Sequence, residues 1–315
     1  MIAAYAARFS PDDPLAALEV GDRPAPEARD GWTVVDVRAA ALNHHDLWSL
    51  RGVGLREQQL PMILGTDAAG VTADGREVVV HGVVGGVPGQ DEPRSLLSEK
   101  HPGTLAEQVA VPTWNLVDKP AELSFVEAAC LPTAWLTAYR MLFTTGRATP
   151  GQRVLVQGAG GGLATAAVVL GAAAGLDVVV TSRSAERRER ALALGATAAV
   201  ETGARVPRVD LVLESVGRAT WSHSVRSVRP GGTIVVAGAT SGDAEQAELQ
   251  RIFFQEISVL GTTMGTRDDL QHLLAFLART GVRPLVDSTF PLVRAAEALG
   301  RLAAGDQFGK IVLEP

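Results

Sequence analysis

Hydrophobic and polar positions follow two patterns along this chain. From residue 154 onward, short β-branched runs take turns with stretches of helical length, which predicts a parallel sheet with crossover helices. Strands are expected at 154–156, 178–182, 209–214, within 231–238, and at 257–261. Helices are expected at 162–175, over an Arg/Glu-rich stretch ending at Gly195, at 219–228 and at 267–280. Before residue 120 the pattern is one of shorter strands and loops. Residues 1–30, rich in Pro, Asp and Ala, read as a short strand and a loop; 32–42 alternates in part and reads as a strand. Asn43-His44-His45-Asp46-Leu47-Trp48 stands at its end. Residues 60–71 enter a β region, and Asp74-Gly75 makes a hairpin turn before 77–81. Residues 85–103 mix Gly, Pro and charge without a period and read as a surface loop. Ser124-x-x-Glu127 is a capping box that predicts a long helix through 141, interrupted at Pro132. The last apolar piece, 309–313, has no helix after it and is expected to return to the N-terminal β region.

The stretch with most chemical content begins at 154. A Val-rich strand meets Gly158-Ala159-Gly160-Gly161-Gly162-Leu163-Ala164, then an Ala-rich helix and a second strand. This is the strand–turn–helix that holds a dinucleotide. Glycines let the backbone approach a pyrophosphate, whose charge sits at the positive end of the following helix. The spacing is Ala159-x-Gly161-x-x-Ala164, a variant of the usual fingerprint. The second strand ends in Thr181-Ser182-Arg183-Ser184 rather than in Asp or Glu. Hydroxyls and a guanidinium suit a 2′-phosphate, which a carboxylate would repel, so Ser182 and Arg183 are expected to select NADP(H). Arg187 and Arg188 read instead as a solvated helix face beside Glu186 and Glu189. The phosphate loop of nucleotide hydrolases is absent, since Gly309-Lys310 is followed by Ile311.

Composition narrows the classes. At 315 residues two domains are expected. A net charge of −6 offers no general attraction to nucleic acid or to an acidic membrane surface. A single cysteine, Cys130, excludes an internal disulfide framework and any cysteine-rich zinc motif, and fits a reducing, cytoplasmic setting. No secretory signal is evident, and the apolar stretch 163–180 is divided by Gly171, Gly175 and Asp177, so it reads as buried core and not as a membrane span.

With these pieces in order, the chain resembles the medium-chain dehydrogenase/reductase superfamily, on its zinc-free, quinone-oxidoreductase-like side. The resemblance rests on Asn43-His-His-Asp-Leu-Trp, Leu64-Gly-Thr-Asp-Ala-Ala-Gly, Leu136-Thr-Ala-Tyr139, the glycine turn, Arg229-Pro-Gly-Gly-Thr and Gly309-Lys-Ile-Val-Leu. It implies an α/β protein: a Rossmann doubly wound parallel sheet over 120–265, and a GroES-like β barrel built from both chain ends, 1–119 and 266–315, with the active cleft between them. Zinc-dependent members carry Cys-His where Asn43-His44 stand, His-Glu where Thr66-Asp67 stand, and a third ligand near Thr133. None of the three zinc-bearing positions keeps its usual ligand here, and the four-cysteine lobe expected between 85 and 110 is missing. Two adjacent histidines at a strand end point to opposite faces and suit a chelate poorly, so no metal is expected.

Without a metal to lower an alcohol's pKa, hydride transfer favours a conjugated acceptor, which spreads the incoming charge. The resemblance therefore implies NADPH-dependent reduction of a quinone or of the activated C=C bond of an enone. The alternatives are a zinc-free alcohol or aldehyde dehydrogenase-reductase, and a non-catalytic NADPH-binding relative. By the same carry-over, Thr137 lies beside the nicotinamide, Gly238-Ala239 and Met264-Gly265 line it, and Gly160, Gly161, Gly162 and Leu163 hold the pyrophosphate. Lys310 is expected as a basic contact to the cofactor. Asn43, His45 and Asp46 are the catalytic candidates: His45 as proton donor, Asn43 orienting substrate or cofactor, Asp46 bracing the loop. A homodimer through an edge strand at 234–236 is a family expectation.

Overall fold

A computed structural model of the chain describes residues 1–86 and 93–315. They form two compact units. The first is Met1–Thr133, Thr266–Ala278 and Arg283–Pro315; the second is Ala134–Gly265 with Arg279–Val282. Residues 120–133 therefore belong to the first unit and not to the second, because the helix Phe125–Ala129 packs on the strands Trp32–Ala41 and Asp67–Thr72.

The second unit is built on a six-stranded sheet, parallel throughout. Its spatial order is Ala198–Val200, Asp177–Thr181, Arg153–Val156, Val209–Glu214, Val228–Val236, Ser258–Gly261. Counted along the chain this is 3-2-1-4-5-6, the doubly wound Rossmann order, with its switch point beside Arg153–Val156. The central strands read as unbroken apolar runs because helices cover both faces; Leu155, Val179, Val212 and Ile234 meet in one buried cluster. The edge differs from expectation. Val228–Val236 has a partner on each side, so 234–236 is interior. The outer strand is Ser258–Gly261, all four residues of which are exposed.

The first unit is centred on the strand Trp32–Ala41. It pairs antiparallel with Asp67–Thr72, Gln108–Pro112 and the C-terminal strand Lys310–Glu314, which in turn runs parallel to Val286–Pro291. The chain end thus returns to the N-terminal sheet, and Ile311 and Leu313 join Val35, Leu64, Leu116 and Leu299 in one core.

Three local expectations change. The two histidines do not end a strand; they open the helix His44–Leu50, with Asn43 as its cap. The stretch 85–103 is not all surface loop, since Ser95–Leu96 pairs with Val83–Val84 and Leu97 and Ser98 are buried; its residues 87–92 lie outside the described residues. The capping box at Ser124 forms as expected, but the helix runs on past 141. It passes from Phe125–Ala129 through a widened turn at Leu131–Trp135, which accommodates Pro132, to Leu136–Tyr139 and a second widened turn at Arg140–Thr145. Among the described residues no helix is long and apolar enough to cross a membrane.

Candidate active site

In the first unit the sheet register gathers the candidate residues at one strand end. Ala41 stands opposite Asp67 on one side and opposite Val312 on the other. Continuing two residues past that rung brings Lys310 to Asn43. The Lys310 Nζ donates to the Leu42 carbonyl at 2.7 Å, to Asn43 Oδ1 at 2.6 Å and to Asp67 Oδ2 at 3.1 Å. Asn43 Nδ2 donates to the same Asp67 oxygen at 2.9 Å. Lys310 is 3% exposed and Asp67 is 0% exposed. An ammonium has three hydrogens to give, and all three are engaged within this unit. Lys310 is therefore a buried structural cation, which corrects its expected place as a cofactor contact. Close by, Thr66 and Thr133 share a hydroxyl–hydroxyl hydrogen bond of 2.8 Å.

Asp46 braces this corner. Its carboxylate accepts the backbone N–H of Asn43 at 2.8 Å and of Gly65 at 3.0 Å. Gly65 has φ +96°, and a Cβ there would strike Thr104 and Leu105, so this close approach needs glycine. Burial pushes the Asp46 carboxyl up from 3.8 to about 6, against the opposing charge of His45 and the hydrogen bond from Asn43.

His45 is held from one side only. Its Nε2 lies 2.9 Å from Glu99 Oε1, while Nδ1 is shut from solvent with no hydrogen-bond partner among the described residues. Burial works against the imidazolium, but the hydrogen bond to Glu99 and the charges of Asp46, Glu99 and Asp67 outweigh it, and the ring's pKa is raised. Cys130, near the same corner, is buried with its thiol pushed up to about 12, and its S–H donates to the Val126 carbonyl. Such a thiol is inert as a nucleophile.

In the second unit the expected cofactor residues lie about the carboxyl ends of the parallel strands. Gly158, at φ +90°, turns the chain out of Arg153–Val156, and Gly161 caps the helix Gly162–Ala173, in which Leu163 fills the first turn. A Cβ on Gly161 would meet nothing within 4 Å, so the backbone there borders open space. Ser182 is buried and accepts the Ser184 N–H, while Arg183 is exposed. The two following arginines are not simply a solvated face. Arg188 Nη1 donates to the Ser182 carbonyl at 2.7 Å, and the Arg187 guanidinium lies 3.0 Å from where a Gly160 Cβ would be. Gly238 sits against the Ser215 carbonyl, Ala239 against Gly217, and Gly265 against Leu136; Met264 is buried at φ +43°, and Thr137 is buried in its helix.

Beneath the glycine turn runs a buried polar chain. The Gly158 N–H donates to Thr181 Oγ1, which donates to Gln157 Oε1; Gln157 Nε2 donates to Ser224 Oγ, which donates to Glu214. Glu214 also accepts from Thr220 and from the backbone of Val216 and Gly217. Neither this chain nor Glu99 is visible as a site in the sequence, since Glu99 lies in an aperiodic stretch and Gln157 and Glu214 sit at strand ends far apart in number. Lys310 carried a signal: a lysine opening an apolar strand that pairs on both sides must find an anion or carbonyls.

Known proteins bear on both units. The alcohol dehydrogenase GroES-like domain family matches residues 29–121, and the zinc-binding dehydrogenase family matches 162–279. An alcohol dehydrogenase of Geobacillus stearothermophilus is 30% identical over 329 residues, covering 95% of this chain and 96% of its own. A quinone oxidoreductase of Rattus norvegicus is 27% identical over 308 residues, covering 92% and 90%. A solved NAD-dependent alcohol dehydrogenase superposes with a TM-score of 0.91 at 32% identity, covering 100% of both chains.

Proposed function

The chain belongs to the medium-chain dehydrogenase/reductase superfamily and is an oxidoreductase of it; from that premise we propose that it reduces a quinone, or the activated C=C bond of an enone, with NADPH and without zinc. The observation that carries the metal-free reading is Lys310. At the positions where zinc-dependent relatives place their ligands, this chain has an amide and two hydroxyls, Asn43, Thr66 and Thr133. Neutral oxygens are poor zinc donors beside thiolate and imidazole. The Asn43 oxygen is moreover already taken by an ammonium, whose charge would repel a divalent cation. The donor set does not fit a zinc, and no step is routed through one.

The second unit fits a dinucleotide, because the open backbone at Gly161 faces the start of a helix whose unpaired N–H groups favour a phosphate. NADPH, when bound, supplies the hydride. Ser182 and Arg183 take the 2′-phosphate. His45 gives a proton to the enolate or to the quinone oxygen that results, a role that suits an imidazole whose pKa is raised by its anionic neighbours. Asn43 is committed to Lys310 and Asp67, so its part is to hold the strand end and the helix that carries His45; Asp46 braces the same turn. The protein acts on small molecules, works in the reducing cytoplasm that its single buried thiol tolerates, and pairs as a homodimer through the exposed strand Ser258–Gly261.

The test is loss of NADPH absorbance with a panel of quinones, enones and aldehydes, alongside elemental analysis. Turnover of the conjugated acceptors, well under one zinc per chain, and indifference to a chelator are expected. Stoichiometric zinc, with activity lost on its removal, would restore the alcohol dehydrogenase reading.

A further inference from the structure

We propose that Glu99 is the positioning residue of the proton donor: it takes the Nε2–H of His45, so that Nδ1 is the atom from which the proton leaves. This rests on the reading of His45 as the acid. The placement of Glu99 is built into the fold. It follows Leu97 and Ser98, both fully buried, in a tight turn closed by Ser98 N–H to the His101 carbonyl and Lys100 N–H to the Leu96 carbonyl. Ser98 takes φ +67°, a left-handed conformation uncommon outside glycine. The Glu99 carbonyl is held by Gln59 Nε2 at 2.7 Å. Across from it, Gly54 at φ +81° leaves room for the carboxylate: a Cβ there would come within 2.7 Å of Glu99 Oε1, the oxygen that meets His45.

The chemistry follows from the ring. A neutral imidazole has one N–H, and with Glu99 as acceptor that hydrogen belongs on Nε2. Nδ1 then carries the lone pair, buried and without a partner among the described residues. When the ring takes up a second proton, that proton sits on Nδ1, because Nε2 already carries the hydrogen given to Glu99. Loss of it to a reduced substrate returns the same tautomer. The anionic groups facing the ring are Glu99 from the 96–101 turn, Asp46 from its own helix and Asp67 from the adjacent strand, so Glu99 is the one that both orients and charges it.

The experiment is a nitrogen-15 NMR titration of His45 in the cofactor-free protein, beside kcat and KM against pH with one enone. The wild type should show the Nε2–H tautomer at high pH. Glu99→Gln should keep that tautomer through its amide oxygen but titrate at lower pH, with the alkaline limb of kcat, where the acid loses its proton, moving down by the same amount and KM within about twofold. Glu99→Ala should lose the tautomer preference and about tenfold or more in kcat; Gly54→Ala should do the same by displacing the carboxylate, and Glu99→Asp should recover part of it. A His45 tautomer and titration unchanged in Glu99→Gln and Glu99→Ala would overturn the proposal. Because the NMR readout needs no turnover, it separates this outcome from failure of His45 as the acid, which would show as His45→Gln keeping the wild-type rate and pH profile.

Discussion

At the scale of single residues, the buried Lys310–Asp67 pair and the raised Asp46 make opposite demands. Removing one member of a buried ion pair leaves the other charge uncompensated, at a cost of about 3–5 kcal/mol. Lys310→Met is therefore expected to lower stability by that order in urea denaturation, and Asp67→Asn added to it should recover part of the loss. Asp46 has its folded carboxyl at about 6 against an ordinary 3.8. Its contribution is thus fully present below about pH 4 and is lost as pH rises through 6, because ionisation costs more in the folded state. The difference is on the order of 3 kcal/mol. Asp46→Asn cannot ionise, so its stability should fall less than the wild type's between pH 4 and 6; parallel curves would show that Asp46 does not carry the slope.

At the scale of elements, the glycine turn and the end of the next strand act as one device. The turn is tied to that strand through Gly158, Thr181 and Gln157, so the surface proposed for the pyrophosphate and the one proposed for the ribose are linked. NADPH is expected to bind much more tightly than NADH. Arg183→Ala should narrow the gap by about ten- to a hundredfold, the worth of one charge-assisted contact at roughly 1.5–3 kcal/mol. Fluorescence titration of both cofactors checks this, and equal affinities in the wild type would remove the assignment. Arg187→Ala reports separately on the guanidinium packed against Gly160: if it also serves the phosphates, NADPH affinity falls further in the double variant.

At the scale of the whole molecule, the second unit has an edge strand, Ser258–Gly261, that pairs on one side only among the described residues. Val259 and Leu260 lie on it, and Phe254, 77% exposed, lies just before it in the chain. An edge of open N–H and C=O groups with apolar side chains is a template for pairing, and two copies can meet there by a two-fold axis. The chain is expected to run as a dimer in light scattering, and Leu260→Lys with Val259→Lys to shift it toward monomer while leaving the secondary structure intact. A wild-type monomer would refute the pairing.

What the sequence by itself determined is what local periodicity and turn chemistry encode: the strand–helix alternation after 154, the glycine turn with its flanking strands and the Ser124 capping box. Those signals lie between near neighbours, and each has a physical cause that needs no distant partner. What only the tertiary structure decided lies between residues far apart in number. The antiparallel register brings Lys310 to Asn43 and Asp67 and turns an expected cofactor contact into a buried cation. Strand order makes Ser258–Gly261, and not 234–236, an edge of the sheet. A turn in an aperiodic stretch delivers Glu99 to His45 across 54 residues of chain. No pattern of apolar and polar positions records such meetings, because they are set by how strands align side by side and not by the order of residues along any one of them.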